Sequence, residues 1–307
     1  MTTTVLVPDE YGAAELARLA DVRAVRYDPA APLADQLPGD ELRQVDVLVP
    51  PLQGGDRADL LAALPNLRLV QLLTAGYEAW EGLVPEAVAL STGRGAHGGS
   101  TAEWVLATLL ALQRDLPAFV RAQDRGEWDY HLTGTLIGAR VLVIGAGDVA
   151  QQIVRRLEPF GTHTVMVGRT ARDGVRAMAE LPDLVPEQDV VVLAVPLTEQ
   201  TRGLADAGFL ARMRDGAVLV NVARGPVVDT DALLAELRTH RLRAALDVTD
   251  PEPLPADHPL WHAPGLLITP HVGGSVTGAF RRAYAIAAEQ IEQFIKGRDP
   301  ENLVRDR

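Results

Sequence analysis

Arg224, Glu252 and His271 are side chains whose chemical types could move a proton beside a bound anion. The imidazole of His271 can exchange a proton near neutral pH, and a neighbouring carboxylate such as Glu252 would favour its protonated form. The guanidinium of Arg224 presents a planar fork that can bind a carboxylate through two hydrogen bonds. If the fold brings the three together, the sequence predicts a cation, an acid and a titratable base in one crevice.

Each of the three also has a simpler interpretation. Glu252 lies in the proline-rich stretch TDPEPLPADHP and could be a solvated loop carboxylate, and Arg224 could be one of the chain's surface arginines. His271 stands apart from the other six histidines because it follows an apolar run and precedes Gly273-Gly274, where the backbone can approach a neighbour closely. Residue types alone leave these alternatives open.

Short apolar runs alternate with helical patterns along the whole chain. They are almost continuously hydrophobic, as strands of a parallel sheet are when helices cover both faces. The fold class expected is therefore α/β with doubly wound parallel sheets. The runs are TVLVP (4–8), VDVLVP (45–50), LRLVQLLT (67–74), ARVLVIG (139–145), HTVMVG (163–168), DVVVLAVP (189–196), GAVLVNVA (216–223), LRAALDVT (242–249) and GLLITP (265–270). Since parallel strands end at one edge, the side chains that follow the last three runs would meet there.

A glycine-rich turn follows the fourth run and opens a helical pattern. Its sequence, Gly145-x-Gly147-x-x-Ala150, is that of a dinucleotide fingerprint. Gly145 permits the tight turn, Gly147 lets the backbone approach a pyrophosphate, and Ala150 allows helix and strand to pack closely. The pyrophosphate would lie on the helix N-terminus. The alternative is a glycine-rich turn that binds nothing.

The next run ends in Gly168-Arg169-Thr170, without the acid that usually holds an adenosine ribose. An acid there would repel a 2′-phosphate, whereas Arg169 and Thr170 offer it a charge and a hydroxyl, with Arg172 near enough to help. We therefore expect NADP(H) as the cofactor, with NAD possible. The alternative is that Arg169 is simply exposed and NAD binds loosely.

Composition excludes several kinds of protein. Apolar residues make up 47% of the 307 residues, which allows a sizeable core, and the net charge of −12 disfavours nucleic acid and anionic membranes as partners. The absence of cysteine excludes disulfides and thiolate catalysis and fits a cytoplasmic location. The N-terminus has no pattern of a signal peptide, no apolar run is long enough for a membrane helix, and no residues have the spacing of metal ligands.

Taken together, these features resemble the D-isomer-specific 2-hydroxyacid dehydrogenase family over nearly the whole chain. The resemblance implies a Rossmann cofactor domain inserted in a flavodoxin-like substrate domain, with residues 99–275 forming the former and 1–98 with 276–307 the latter. Closure of the two domains would exclude water from the reaction. The motifs that carry the resemblance are QLLTAGYE (71–78), GGSTAEWVLATLLAL (98–112), LIGARVLVIGAGDVA (136–150), LAVPLTEQTRGL (193–204), GAVLVNVARGPVVDTDAL (216–233), AALDVTDPEPLPADHPLW (244–261) and LLITPHVGGS (266–275).

The resemblance also implies a role for each matched position. Arg224 would hold the substrate carboxylate and polarise the keto group, His271 would be the acid/base at the C2 oxygen, and Glu252 would pair with His271. The turn Ala75-Gly76-Tyr77 would offer N–H groups to the substrate carboxylate, and Asp247 would contact the nicotinamide carboxamide. The implied cofactor contacts are Gly145, Ala146, Gly147, Asp148, Val149, Arg169, Thr170, Val195, Pro196, Thr201, Val222, Ala223, Asp247 and Gly274.

The function expected is hydride transfer between NADP(H) and a small 2-ketoacid or D-2-hydroxyacid, with reduction of glyoxylate or hydroxypyruvate favoured. The alternatives are a phosphoglycerate dehydrogenase-like enzyme and a non-catalytic dinucleotide-sensing protein like the family's corepressors. Formate oxidation is disfavoured because Glu252 is not an amide. Family members are usually dimers joined through their cofactor domains, so a homodimer is expected. The helical pattern at 101–123 could serve as its interface or could be core.

Overall fold

The computed structural model describes residues 2–52 and 56–305. The chain divides into two compact units, Met1–His97 with Thr277–Arg307 and Gly98–Val276. The boundaries expected from the sequence lie one residue away from these. Both units contain a parallel sheet with helices, so the predicted α/β class is confirmed.

The first unit contains a five-stranded parallel sheet in the flavodoxin-like order β2-β1-β3-β4-β5. Its central strands are buried on both faces, which explains their continuous hydrophobicity. The strands are β1 (Thr3–Val7), β2 (Val22–Arg26), β3 (Val45–Leu48), β4 (Leu69–Gln71) and β5 (Ala89–Ser91), and the helices are α1 (Glu10–Leu16), α2 (Leu33–Gln36), α3 (Gly39–Leu42) and α4 (Arg57–Ala62).

The second unit contains a seven-stranded parallel sheet in the order β12-β11-β10-β9-β6-β7-β8. The strand order reverses at β6, which lies between β7 and β9, and such a switch point is where open α/β sheets bind ligands. The strands are β6 (Arg140–Ile144), β7 (His163–Gly168), β8 (Val175–Ala177), β9 (Val190–Leu193), β10 (Val218–Asn221), β11 (Arg243–Leu246) and β12 (Leu266–Ile268). The helices are α5 (Gly98–Gln113), α6 (Leu116–Asp124), α7 (Asp148–Leu157), α8 (Leu181–Leu184), α9 (Ala207–Arg212) and α10 (Thr230–Arg238).

The helical pattern at 101–123 forms two helices rather than one. Asp115, between α5 and α6, has a left-handed backbone with φ of 49°, a conformation that a helix cannot continue through. Pro117 occupies the first turn of α6, where its missing N–H costs nothing. The apolar side of α5, including Val105 and Leu109, is fully buried in the core of the second unit. These residues of α5 are therefore core, and the use of this region as a dimer interface stays a prediction.

The last helix, α11 (Ala279–Ile295), packs in the first unit, which is the unit that the family resemblance implied for residues 276–307. The fully buried Tyr284 ring lies against Gly12 of α1, and its hydroxyl donates a 2.5 Å hydrogen bond to Asp9. Asp9 also accepts a hydrogen bond from the Gly12 N–H and so caps α1. Burial, together with the bond to Asp9, raises the pKa of Tyr284 far above its ordinary value. No helix among the described residues is long and apolar enough to span a membrane.

Gly12→Ala is expected to lower the free energy of unfolding by about 1–3 kcal/mol, because an added β-carbon would overlap the Tyr284 ring. That ring is held by the bond to Asp9 and cannot move away cheaply. Gly39→Ala is the matched control, since an added β-carbon there would have its nearest neighbour at 3.6 Å, the end of the Arg43 side chain. The two urea unfolding midpoints test this, and equal midpoints would contradict it.

Candidate active site

His271 and Glu252 are in direct contact at the carboxyl edge of the second unit's sheet. The Nδ1 atom of His271, which follows β12, lies 2.7 Å from the Oε1 atom of Glu252, which follows β11. An ionised carboxylate can only accept a hydrogen bond, so Nδ1 carries the proton and Nε2 is left to act on another molecule. Both side chains are nearly half exposed, so the pair is accessible to a ligand.

The loop that carries His271 is held by Asp247. The Asp247 carboxylate, on a residue only 4% exposed, accepts hydrogen bonds from the Thr269 hydroxyl at 2.6 Å and from the N–H groups of Val272 and Gly273 at 2.8 Å each. The His271 N–H donates to the Asp247 carbonyl at 2.8 Å. These bonds hold His271 at φ of 55°, a left-handed conformation that few residues other than glycine adopt.

Asp247 therefore shapes the site as well as standing in it. Its two carboxylate oxygens offer about four acceptor positions, and three are used within the protein. The contact of Asp247 with the nicotinamide carboxamide stays a prediction. Such a contact would use the remaining acceptor position of the carboxylate. Gly273 is required here, since an added β-carbon would lie 2.8 Å from the Asp247 Oδ2 atom.

Arg224 follows β10 in a turn built by Asn221. The buried Asn221 side chain accepts a hydrogen bond from the Ala223 N–H at 3.0 Å and donates one to the Arg224 carbonyl at 2.9 Å. The Arg224 Nη1 atom donates to the Ala223 carbonyl at 2.7 Å. Gly225 lets this turn lie against the loop after β11, because an added β-carbon would overlap the Thr249 carbonyl. Arg224 and Glu252 thus leave adjacent strands whose loops are in contact.

The fingerprint turn has the shape that a dinucleotide needs. Gly145 has φ of 132°, and an added β-carbon would overlap the Ala194 carbonyl, so no other residue fits. An added β-carbon on Gly147 would meet nothing within 4 Å, so there is room for a ligand at the start of α7. Ala150 is fully buried among the core residues. The open helix N-terminus with free N–H groups fits the pyrophosphate of a nicotinamide dinucleotide.

Asp148 and Val149 lie in the first turn of α7, where their backbone N–H groups have no partner in the helix. The Asp148 carboxylate lies against Gly98 at the start of α5, because an added β-carbon on Gly98 would overlap its Oδ2 atom. The side chain of Asp148 is thus engaged within the protein, and what this residue offers a cofactor is its N–H group.

Arg172, rather than Arg169, is the cation in contact with the fingerprint turn. Its Nη2 atom donates a 3.1 Å hydrogen bond to the Ala146 carbonyl, and two backbone hydrogen bonds of 2.9 Å with Val175 hold it in a tight turn. Arg169 and Thr170 are exposed directly after β7. At Gly168 an added β-carbon would lie 3.0–3.2 Å from Val175 and Ala146 side-chain atoms, so an acid there would displace its neighbours.

The other predicted cofactor residues lie at the same edge of the sheet. Val195 and Pro196 follow β9, and the Thr201 hydroxyl donates to the Pro196 carbonyl at 2.7 Å, so it closes that loop. Val222 and Ala223 follow β10, and Gly274 lies in the loop after β12. Asn221, Gly225 and Thr269 escaped the sequence analysis because their roles depend on contacts between loops. Asn221 alone had a local signal, since asparagine at a strand end commonly builds a turn.

The predicted substrate residues Ala75, Gly76 and Tyr77 follow β4 in the first unit. The Thr74 hydroxyl donates a 2.8 Å hydrogen bond to the Gly76 carbonyl and shapes their turn. Trp80 packs in the core of that unit, and Tyr77 packs against the same core. Within residues 2–52 and 56–305, no group of three or more acidic or histidine side chains could hold a metal ion.

Comparison with known proteins identifies the family. A family model described as the NAD binding domain of D-isomer specific 2-hydroxyacid dehydrogenase matches residues 106–273. The glyoxylate reductase/hydroxypyruvate reductase of Homo sapiens is 30% identical over 310 residues, which cover 95% of this chain and 93% of that protein.

Two solved structures are similar over 99% of this chain and 98% of their own. A D-isomer specific 2-hydroxyacid dehydrogenase from Xanthobacter autotrophicus Py2, in complex with NADPH and MES, is 31% identical with a TM-score of 0.82. An NADPH-dependent glyoxylate/hydroxypyruvate reductase from Sinorhizobium meliloti, in complex with NADP and sulfate, is 25% identical with a TM-score of 0.83. The chain is therefore an oxidoreductase with a nicotinamide dinucleotide cofactor, and it belongs to the D-isomer-specific 2-hydroxyacid dehydrogenase family.

Proposed function

We propose that this chain reduces a small 2-ketoacid, such as glyoxylate or hydroxypyruvate, to the D-2-hydroxyacid with NADPH. The contact between His271 and Glu252 carries the proposal, because it places an oriented acid/base at the sheet edge that also holds the fingerprint turn. The human and Sinorhizobium meliloti relatives, which are named for glyoxylate and hydroxypyruvate, support this substrate class.

A reduced nicotinamide, when bound, would supply the hydride that adds to the keto carbon, and the residues of the chain would bind the substrate and supply the proton. Arg224 binds the carboxylate of the 2-ketoacid and holds the keto carbon in register. As negative charge develops on the C2 oxygen, the protonated His271 gives it a proton from Nε2. Glu252 accepts a hydrogen bond from the Nδ1–H group, which keeps that proton on the ring, and its charge stabilises the imidazolium before Nε2 gives up its proton.

The preference for NADPH rests on what surrounds Gly168. The end of β7 has no acid to repel a 2′-phosphate, and Arg172 is fixed beside the fingerprint turn by its bond to the Ala146 carbonyl. A charge-assisted hydrogen bond from Arg172 to the 2′-phosphate would contribute roughly 1.5–3 kcal/mol, or about 10–100-fold in affinity. The Xanthobacter autotrophicus structure holds NADPH, which supports the same cofactor here.

We expect kcat/KM for NADPH to exceed that for NADH by at least ~10-fold. Arg169→Gln combined with Arg172→Gln should bring the ratio towards one by weakening NADPH alone. Arg155→Gln is the matched control, since Arg155 is an exposed arginine in the last turn of α7, and should leave the ratio unchanged. Equal values for the two cofactors, or a preference for NADH, in the unaltered enzyme would contradict the cofactor assignment.

A panel of glyoxylate, hydroxypyruvate, pyruvate and phenylpyruvate tests the reaction itself. Turnover of at least one small 2-ketoacid is expected. If none is turned over while the dinucleotide still binds, the chain is a dinucleotide sensor rather than a reductase.

A further inference from the structure

Trp104 of α5 lies against the backbone of the loop that carries His271. An added β-carbon on the buried Gly273 would lie 3.5 Å from the Trp104 Cγ atom and 2.8 Å from the Asp247 Oδ2 atom. The half-buried indole ring and the Asp247 carboxylate therefore border the same space, the one that a side chain at position 273 would occupy. The loop thus has two supports, a polar one from the carboxylate and an apolar one from the ring.

The position of Trp104 is fixed because α5 is attached to β11 along its length. Arg243, the first residue of β11, donates a 2.9 Å hydrogen bond to the Leu112 carbonyl near the end of α5. Between the two ends, Ala245 of β11 and Leu109 of α5 are fully buried in the same core cluster. The helix that carries Trp104 therefore cannot slide along the strand that leads to Asp247.

The spacing of the two ends agrees with this attachment. Arg243 and Asp247 are four residues apart along an extended strand, a rise of about 13 Å. Trp104 and Leu112 are eight residues apart along a helix, a rise of about 12 Å. A helix that runs antiparallel to β11 thus brings Trp104 level with Asp247 when Leu112 is level with Arg243. The indole ring is held in place by the same elements that hold the carboxylate.

The contribution of Trp104 is its apolar ring rather than a hydrogen bond. Its Nε1 atom is buried and has no hydrogen-bond partner among the residues that the structure describes. Beside the ring, Asp247 is only 4% exposed and accepts three hydrogen bonds. An apolar neighbour that excludes water strengthens such bonds, because the local dielectric is low and water does not compete for the carboxylate.

Movement of this loop would reach the acid/base directly. His271 lies two residues before Gly273, and its N–H donates to the Asp247 carbonyl. A shift of the Gly273 backbone would therefore move the imidazole relative to Glu252. A displacement of about 1 Å at a reacting group can lower a rate by about 100-fold. A residue that limits this movement affects the reaction without touching the substrate.

We propose that Trp104 is a positioning residue for His271. Its ring packs on the Gly273 backbone, keeps water from the Asp247 carboxylate and so holds the imidazole against Glu252. This role rests on the proposed function for its kinetic effect, but the position of the imidazole can also be measured without turnover.

Steady-state kinetics is the first test. Trp104→Ala should lower kcat for 2-ketoacid reduction by ~10–100-fold and change the Kd of NADPH little. Trp104→Phe should keep most of the activity, because phenylalanine retains a flat apolar ring and loses only an N–H group that makes no bond. A kcat of Trp104→Ala equal to that of the unaltered enzyme, or a kcat of Trp104→Phe as low as that of Trp104→Ala, would overturn the proposal.

Leu109→Ala is the matched control for a general loss of packing. It removes a fully buried apolar side chain from the same helix. It should lower the urea unfolding midpoint at least as far as Trp104→Ala does and leave kcat unchanged. If both variants lower kcat by the same factor, Trp104 stabilises the fold and does not position His271.

¹⁵N NMR of the histidine rings at alkaline pH is the second test, because it reports which ring nitrogen carries the proton. His271→Asn identifies the His271 signals by their loss. The unaltered chain and Trp104→Phe should carry the proton on Nδ1, where Glu252 accepts it. Trp104→Ala, or the milder Trp104→Leu if Trp104→Ala does not fold, should show a mixture with the proton on Nε2.

A proton that stays on Nδ1 in every folded variant would overturn the proposal. A mixture in the alanine or leucine variant of a chain that turns over no 2-ketoacid would support the positioning of His271 and contradict only the proposed reaction.

Discussion

Replacing His271 by asparagine is expected to lower kcat for 2-ketoacid reduction by ~10²–10⁴-fold, the contribution of a positioned general acid. Asparagine is chosen because it tolerates the left-handed backbone that His271 adopts. The loop held by Asp247 should therefore keep its conformation, and the dissociation constant of NADPH should change little. Steady-state kinetics and cofactor titration measure the two quantities separately.

His240→Asn is the matched control for this substitution. His240 is an exposed histidine that also has a left-handed backbone, with φ of 57°, so the same change is made in the same conformation away from the site. Its kcat should match that of the unaltered enzyme. Glu252→Gln should lower kcat less than His271→Asn does. An amide oxygen can still accept a hydrogen bond from the Nδ1–H group but carries no charge to stabilise imidazolium. A kcat of His271→Asn within about threefold of the unaltered value would remove His271 from the chemistry.

Replacing Arg224 by glutamine is expected to lower kcat/KM for a 2-ketoacid by ~10²–10³-fold, because the substrate carboxylate would lose a bidentate charged partner. The kcat/KM of Arg224→Lys should lie between that of the unaltered enzyme and that of Arg224→Gln, since an ammonium keeps the charge and loses the planar fork. Arg202→Gln, an exposed arginine in the loop after β9, is the control and should have no effect. Steady-state kinetics with saturating NADPH measures these values.

An aldehyde without a carboxylate separates substrate binding from damage to the turn. Asn221 makes two hydrogen bonds that hold the backbone of this turn, and Arg224→Gln leaves both in place while it removes the bond from Nη1 to the Ala223 carbonyl, so the fold of the turn should stay intact. The unaltered enzyme and Arg224→Gln should then reduce glycolaldehyde equally slowly. If the substitution lowers both reactions by the same factor, Arg224 has a structural role instead.

Much of the architecture could be predicted because parallel strands that are buried on both faces have continuously apolar sequences. The positions of Arg224, Glu252 and His271 followed from one further rule, that such strands end at a common edge. Both inferences use only local sequence. They place each residue within a few positions of a strand end at that edge, and the 2.7 Å contact of His271 with Glu252 is consistent with that placement.

What could not be predicted depends on contacts between distant segments. The three hydrogen bonds to Asp247 come from residues more than twenty positions away. Arg172 rather than Arg169 reaches the fingerprint turn because of a tight turn that the arginine-rich sequence does not reveal. The break between α5 and α6 depends on the backbone of Asp115. The exposure of Trp128 is a property of the fold, since tryptophan is usually well buried.

The hydrogen bonds to Asp247 should protect the backbone of the His271 loop from exchange with water and restrict its movement. The N–H groups of Val272 and Gly273 point at a carboxylate that solvent scarcely reaches, so their hydrogens should exchange with water far more slowly than those of an ordinary loop. We therefore expect the segment between Thr269 and Gly273 to move little relative to the sheet. His271 is aimed before any ligand arrives, and little reorganisation energy remains to be spent during the reaction.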